Sequence, residues 1–130
     1  FDVGGDDDGA LALGQYKQYF DKYGYEMHFI VNTKRPLTRT NDELIEIAER
    51  IESASRLKFT DIYNNTNLSD QTDETTLFSG YDEIKMLSKK MGIVIKKNCG
   101  IDKALSNVPT NLKDTVFRMN ICILRPWEIQ

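Results

Sequence analysis

Glu-Met-His-Phe-Ile-Val-Asn, residues 26–32, is the stretch on which the fold turns. It is too short for a buried helix and ends in a polar residue, so it reads as a strand of a covered sheet. Downstream, Thr40-Asn41-Asp42-Glu43 matches a capping box, in which hydroxyl and carboxylate satisfy each other's end amides. Leu44, Ile47, Ala48, Ile51 and Leu57 follow at helical spacing. Acidic residues open this helix and Arg56-Leu57-Lys58 close it, as the helix dipole favours. Residues 59–64, Phe-Thr-Asp-Ile-Tyr-Asn, read as the next strand. A polar loop, Asn64 to Asp73, leads to a helix over 74–91 with Leu77, Tyr81, Ile84, Leu87 and Met91 on one stripe and Gly92 as its stop. Ile93-Val94-Ile95 is a strand.

Upstream, residues 10–23 predict one helix along Ala10, Leu13 and Phe20, closed by Gly24. Pro36 keeps Arg35 extended. Residues 100–106 read as a helical turn, 116–124 as a strand or short helix, and Arg125-Pro126-Trp127 as the end of the pattern. Strands alternating with helices imply right-handed crossovers. The expectation is one α/β domain over residues 1–130, with a mainly parallel sheet and helices on both faces.

The bulk numbers exclude some functions. Hydrophobic residues make up 40% and charged residues 28% of the 130, the mix of a globular domain with a core. The net charge of -3 argues against general nucleic-acid binding, which needs a clustered basic face. Lys89-Lys90 and Lys96-Lys97 read as solvated ends of elements. Cys99 and Cys122 lack metal-ligand spacing, and with one histidine a zinc site is not expected. The two can form a disulfide, but reduced thiols in a cytoplasmic protein are the simpler reading. No apolar run approaches the roughly 18 residues of a membrane span.

In an open parallel sheet, ligands bind beyond the carboxyl ends of the strands. The chain opens on Phe-Asp-Val-Gly-Gly-Asp-Asp-Asp-Gly, residues 1–9, which reads as a strand end turning into a ligand-facing loop. With only Phe1 before Asp2, the expectation is a fragment of a larger nucleotide-binding protein. Asp2 is the metal candidate, since a carboxylate there can orient water on Mg²⁺. Gly4 and Gly5 allow close approach of a phosphate. The competing reading is a strand-to-helix turn, with Asp6, Asp7 and Asp8 capping a helix. Asn64-Asn65-Thr66-Asn67 offers paired amide donors and acceptors that suit an adenine edge, or equally a turn held by its own amides. His28 reads as an ordinary core or surface histidine. Tyr16, Tyr19, Phe20 and Tyr23 read as core and helix surface.

Together these segments resemble the C-terminal half of a ParA/MinD/CobQ-type ATPase of the deviant-Walker, P-loop group. Phe-Asp-Val-Gly-Gly-Asp (1–6) looks like the end of that family's Walker B strand. Phe-Ile-Val-Asn-Thr-Lys-Arg-Pro (29–36) looks like its next strand and loop. Ile-Tyr-Asn-Asn-Thr-Asn-Leu (62–68) looks like the later strand whose terminal Asn contacts adenine, and Thr72 to Gly80 like the entry to the following helix. The resemblance covers roughly residues 1–100. It implies a three-layer P-loop fold, Mg-ATP as the parent's cofactor, and a dimerising ATPase switch as its activity. By it, Asp2 orients the Mg²⁺ shell and Asn65, or less directly Asn64, reads adenine. The sequence departs from the family in two respects: no G-x-x-x-x-G-K-[ST] occurs in it, and no second signature lysine appears. The chain alone is therefore expected to hydrolyse no ATP, because the phosphate cradle supplies most of the charge stabilisation.

Two other readings compete. One is a non-enzymatic α/β module that binds a protein partner or a second copy of itself through exposed sheet surface. The other is a receiver-like phosphorylation domain using the acidic cluster with Lys96 or Lys97, in which the glycines and the Asn cluster have no part.

Overall fold

A computed structural model describes residues 1–5 and 7–122. The run that opened the argument forms β1, His28–Val31, and three more strands follow: β2, Asp61–Asn64; β3, Val94–Gly100; and β4, Val116–Arg118. All pair parallel, in the order β1-β2-β3-β4. The chain is α/β with a parallel sheet, as the alternation required.

Each crossover moves one strand further in the same direction. Right-handed crossovers that never reverse keep their helices on one face. That is what the core shows. Ala10 of α1 (Asp7–Gly14), Leu44 and Ala48 of α3 (Asn41–Ser55), and Ile84 and Leu87 of α5 (Tyr81–Met91) form one buried cluster with Phe29, Val31 and Ile62 of the sheet. Phe29 and Phe59 stack within it, with ring centroids 4.7 Å apart. On the opposite face Ile30 is 55% and Val94 66% exposed. The expectation of helices on both faces is thus corrected for the described residues: the core helices cover one face, and the other is exposed at Ile30 and Val94, although Asp61 and Cys99 on it are buried.

The capping box forms as read. The Thr40 side chain accepts from the Glu43 amide, and the Glu43 carboxylate accepts from the amides of Arg39 and Thr40. The helix stops at Arg56, which takes φ 59. Leu57 lies beyond that stop but is still buried.

The two other expected helices are each broken in two. Residues 10–23 divide into α1 and α2 (Lys17–Tyr23), and residues 74–91 into α4 (Glu74–Phe78) and α5. A Cβ on Gly14 would sit 3.1 Å from the Ser55 carbonyl oxygen, so α1 ends where it runs tight against α3. A Cβ on Gly80 would sit 2.2 Å from the Thr33 hydroxyl oxygen, so the second break falls where the chain passes the β1 loop.

Three further differences matter. Residues 1–5 hold no strand, and Asp2 is not at a strand end. Phe1 is exposed and its ring lies 5.8 Å from that of Tyr16 and 5.6 Å from that of Phe20. β3 runs to Gly100, well past the expected 93–95, because Asn98 turns its amide into the interior and Cys99 is buried. The expected turn at 100–106 is a 3-10 turn over Asp102–Leu105. Of the expected element at 116–124, β4 is strand; Ile123, Leu124 and the Arg125-Pro126-Trp127 ending lie outside the described residues, as does Asp6.

Candidate functional site at the carboxyl edge

The loops leaving β1 and β2 are knitted together. The Asn32 side-chain oxygen accepts from the amides of Lys34 (3.0 Å) and Asn67 (3.2 Å), and its amide donates to the Asn67 carbonyl at 3.2 Å. The Thr33 amide donates to the Thr66 hydroxyl at 3.2 Å, and the two hydroxyls are 3.2 Å apart. Thr38 donates to the Asn32 carbonyl at 2.7 Å. Backbone groups at the sheet edge that would otherwise need water are thereby satisfied.

Beside this platform lies a cavity of about 380 Å³ lined by Thr33, Lys34, Arg39, Ser79, Gly80 and Glu83. Lys34 and Arg39 bring positive charge to it. The Glu83 carboxylate is engaged with the Asn41 amide at 2.8 Å.

The amides singled out in the sequence separate clearly. Asn64 is fully buried. Its NH₂ donates to the Leu77 carbonyl (3.1 Å) and to the Asn98 side-chain oxygen (3.0 Å), and its oxygen accepts from the Thr66 amide at 3.1 Å. Asn98 passes the chain on to the Thr115 hydroxyl at 2.8 Å. Asn64 is a strut between β2, α4 and β3, with no polar atom left for a ligand. Asn65 is half-buried. Its backbone carbonyl accepts from the Asn67 side chain at 2.7 Å and its side-chain oxygen from the same group at 3.5 Å, while no described residue takes its side-chain NH₂. Asp2, Gly4 and Gly5 lie in exposed coil before α1. A Cβ on Gly5 would meet nothing within 4 Å, so no close contact holds that position to glycine. None of Asp2, Gly4, Gly5, Asn64 and Asn65 lines the cavity.

A second polar cluster sits on the open face of the sheet. His28 of β1 and Asp61 of β2 are register partners. The Asp61 carboxylate, its side chain only 6% exposed, accepts from His28 Nδ1 at 2.5 Å. Thr60 donates to its other oxygen at 3.1 Å, and Lys96 Nζ lies 3.3 Å from that oxygen and 3.2 Å from Glu26. The hydrogen bond to Glu26, ahead of that to Asp61, raises the lysine's pKa above its ordinary range. Lys96 is therefore committed here, and not to the acidic N-terminal run. His28 Nε2 faces Glu26 at 3.7 Å, and the Tyr63 ring lies 4.8 Å from the imidazole. The sequence offered one signal for this cluster: His28 and Asp61 are each the third residue of an expected strand, 26–32 and 59–64, so parallel pairing in register brings them together.

No protein-family model, curated protein or solved structure matches the chain.

Proposed function

We propose that the chain is the base-side portion of a Mg-ATP site of the ParA/MinD/CobQ kind, built on a partial P-loop fold. The observation that carries this reading is the interlocked pair of strand-end loops beside the cavity. Side-chain amides and two cations gather at the carboxyl edge of a parallel sheet, where such sheets bind ligands. Asn65 keeps its side-chain NH₂ without a described partner while its oxygen accepts a long 3.5 Å bond from Asn67, so it can still turn to a purine edge; Asn64, fully bonded, cannot. Asp2, exposed ahead of α1, suits a water-mediated contact to Mg²⁺. ATP would supply the reactive phosphoanhydride; Asn65 would meet its base from the loop beside the cavity and Asp2 its metal from outside the cavity's lining. With no G-x-x-x-x-G-K-[ST] in the 130 residues, no hydrolytic step is assigned to this chain.

The test is amide NMR of the chain with adenosine nucleotides and Mg²⁺. Millimolar nucleotide should move the Asn65 signals, leave the buried Asn64 NH₂ in place, and release no phosphate. Unmoved Asn65 signals at saturating nucleotide would sink the reading. So would a coding sequence upstream of Phe1 without a G-x-x-x-x-G-K-[ST] loop.

The open sheet face favours a second reading, a module that pairs with another copy of itself. Ile30 and Val94 put apolar surface where parallel sheets are ordinarily covered. A mass by light scattering that rises with concentration supports it; a monomer at the highest soluble concentration rejects it.

A further inference from the structure

We propose that the open-face cluster is a binding site for a zinc-class divalent cation, held by His28 Nε2 and the Glu26 carboxylate, with Asp61 as the group that orients the imidazole. A carboxylate can only accept, so the 2.5 Å contact assigns the Nδ1 proton to the Asp61 bond. In the neutral imidazole that puts the ligating lone pair on Nε2, which stands 3.7 Å from the Glu26 carboxylate oxygen. Metal-ligating histidines are fixed in this way, with the second ring nitrogen donating to a carboxylate. Two ligand atoms at zinc bond lengths and a tetrahedral angle stand about 3.4 Å apart, so a small closing movement suffices. Asp61 suits the orienting role because it is buried and held from three sides, by His28, Thr60 and Lys96.

Access and charge agree with this. The Glu26 and His28 side chains are 66% and 34% exposed, so an ion enters from the bare face and completes its shell with water. Imidazole with carboxylate selects zinc, cobalt or nickel over magnesium. Lys96 now bridges the Glu26 and Asp61 carboxylates at 3.2 and 3.3 Å, in the position of a competing cation. Metal binding displaces the ammonium from Glu26 and leaves it on Asp61. The lysine thus sets the affinity: it holds the site together when empty and opposes the ion that fills it.

His28 is the sole histidine of the chain, so its imidazole nitrogens give unambiguous NMR signals. Long-range proton–nitrogen spectra of the full chain at neutral pH, titrated with ZnCl₂, should move Nε2 into the metal-bound range at submillimolar zinc while Nδ1 stays protonated. Glu26→Gln, at an exposed position, should weaken binding. Lys96→Met should tighten it by about tenfold through the lost repulsion, with folding checked by circular dichroism. Imidazole signals unmoved at millimolar zinc overturn the site. So do ligation through Nδ1, an equal response to Mg²⁺, or an affinity that neither variant changes.

Discussion

Asn64 and Asn65 are adjacent and chemically identical, yet the fold gives them opposite work. Truncating Asn64 strands the Leu77 carbonyl, the Thr66 amide and the Asn98 side chain in the interior. Asn64→Ala is expected to cost about 3 kcal/mol in urea unfolding, and Asn65→Ala less than about 0.5, from the cost of orphaned buried polar groups. Equal effects would contradict the burial assigned here. The two thiols divide in the same manner. Burial pushes the Cys99 thiol up to about 11, whereas Cys122 is exposed. A thiol reagent at pH 8 should label one site per native chain, at Cys122, and two after denaturation; rapid labelling of both in the native state would refute it. The sequence marks an Asn run at a strand end, but which amide faces inward follows from strand phase and from where α4 puts its carbonyls. Neither is a local property.

The capping box is a local signal, and it was legible because its partners lie three residues apart. Thr40→Ala should cost about 1 kcal/mol, read as a lower urea midpoint at unchanged slope. The backbone bond from Thr40, followed by that from Arg39, holds the Glu43 carboxyl below its ordinary range. The Thr76 amide does the same for Asp73 at the start of α4. An acid whose folded pKa is depressed stabilises the fold above its unfolded value, and that contribution is lost as pH falls through the folded pKa. Stability should therefore hold near neutrality and decline as pH drops below the ordinary values of 4.5 for Glu43 and 3.8 for Asp73. Glu43→Gln keeps an acceptor and loses the charge, so it should flatten part of that acid slope in pH-dependent unfolding; an unchanged slope removes Glu43 from the account. The broken helices were not legible for the opposite reason. Apolar spacing continues through Gly14 and Gly80, and the crowding at each comes from a neighbour distant in sequence, Ser55 in one case and Thr33 in the other.

At the scale of the molecule, the strand order decides what the sheet shows to solvent. Alternation of strands and helices predicts a parallel sheet, but not whether the order reverses. A reversal would carry helices to both faces; the sequential order seen here does not. The run at 26–32 encodes the consequence in two neighbouring residues. Val31 is 1% exposed and points at the helices, whereas Ile30 is 55% exposed and points away. Threonine keeps the β-branch in both places, so the substitution isolates burial from strand propensity. Val31→Thr places a hydroxyl among Phe29, Leu44 and Ile62 and should cost about 2 kcal/mol. Ile30→Thr should cost about 0.5 kcal/mol or less in the same unfolding experiment, the ordinary range for an exposed position. If a second copy of the chain covers the open face, Ile30→Thr also lowers the mass seen by light scattering, and its stability cost grows with protein concentration. A cost for Ile30→Thr that matches Val31→Thr at every concentration would mean that both faces are covered within one chain, and would overturn the one-sided sheet.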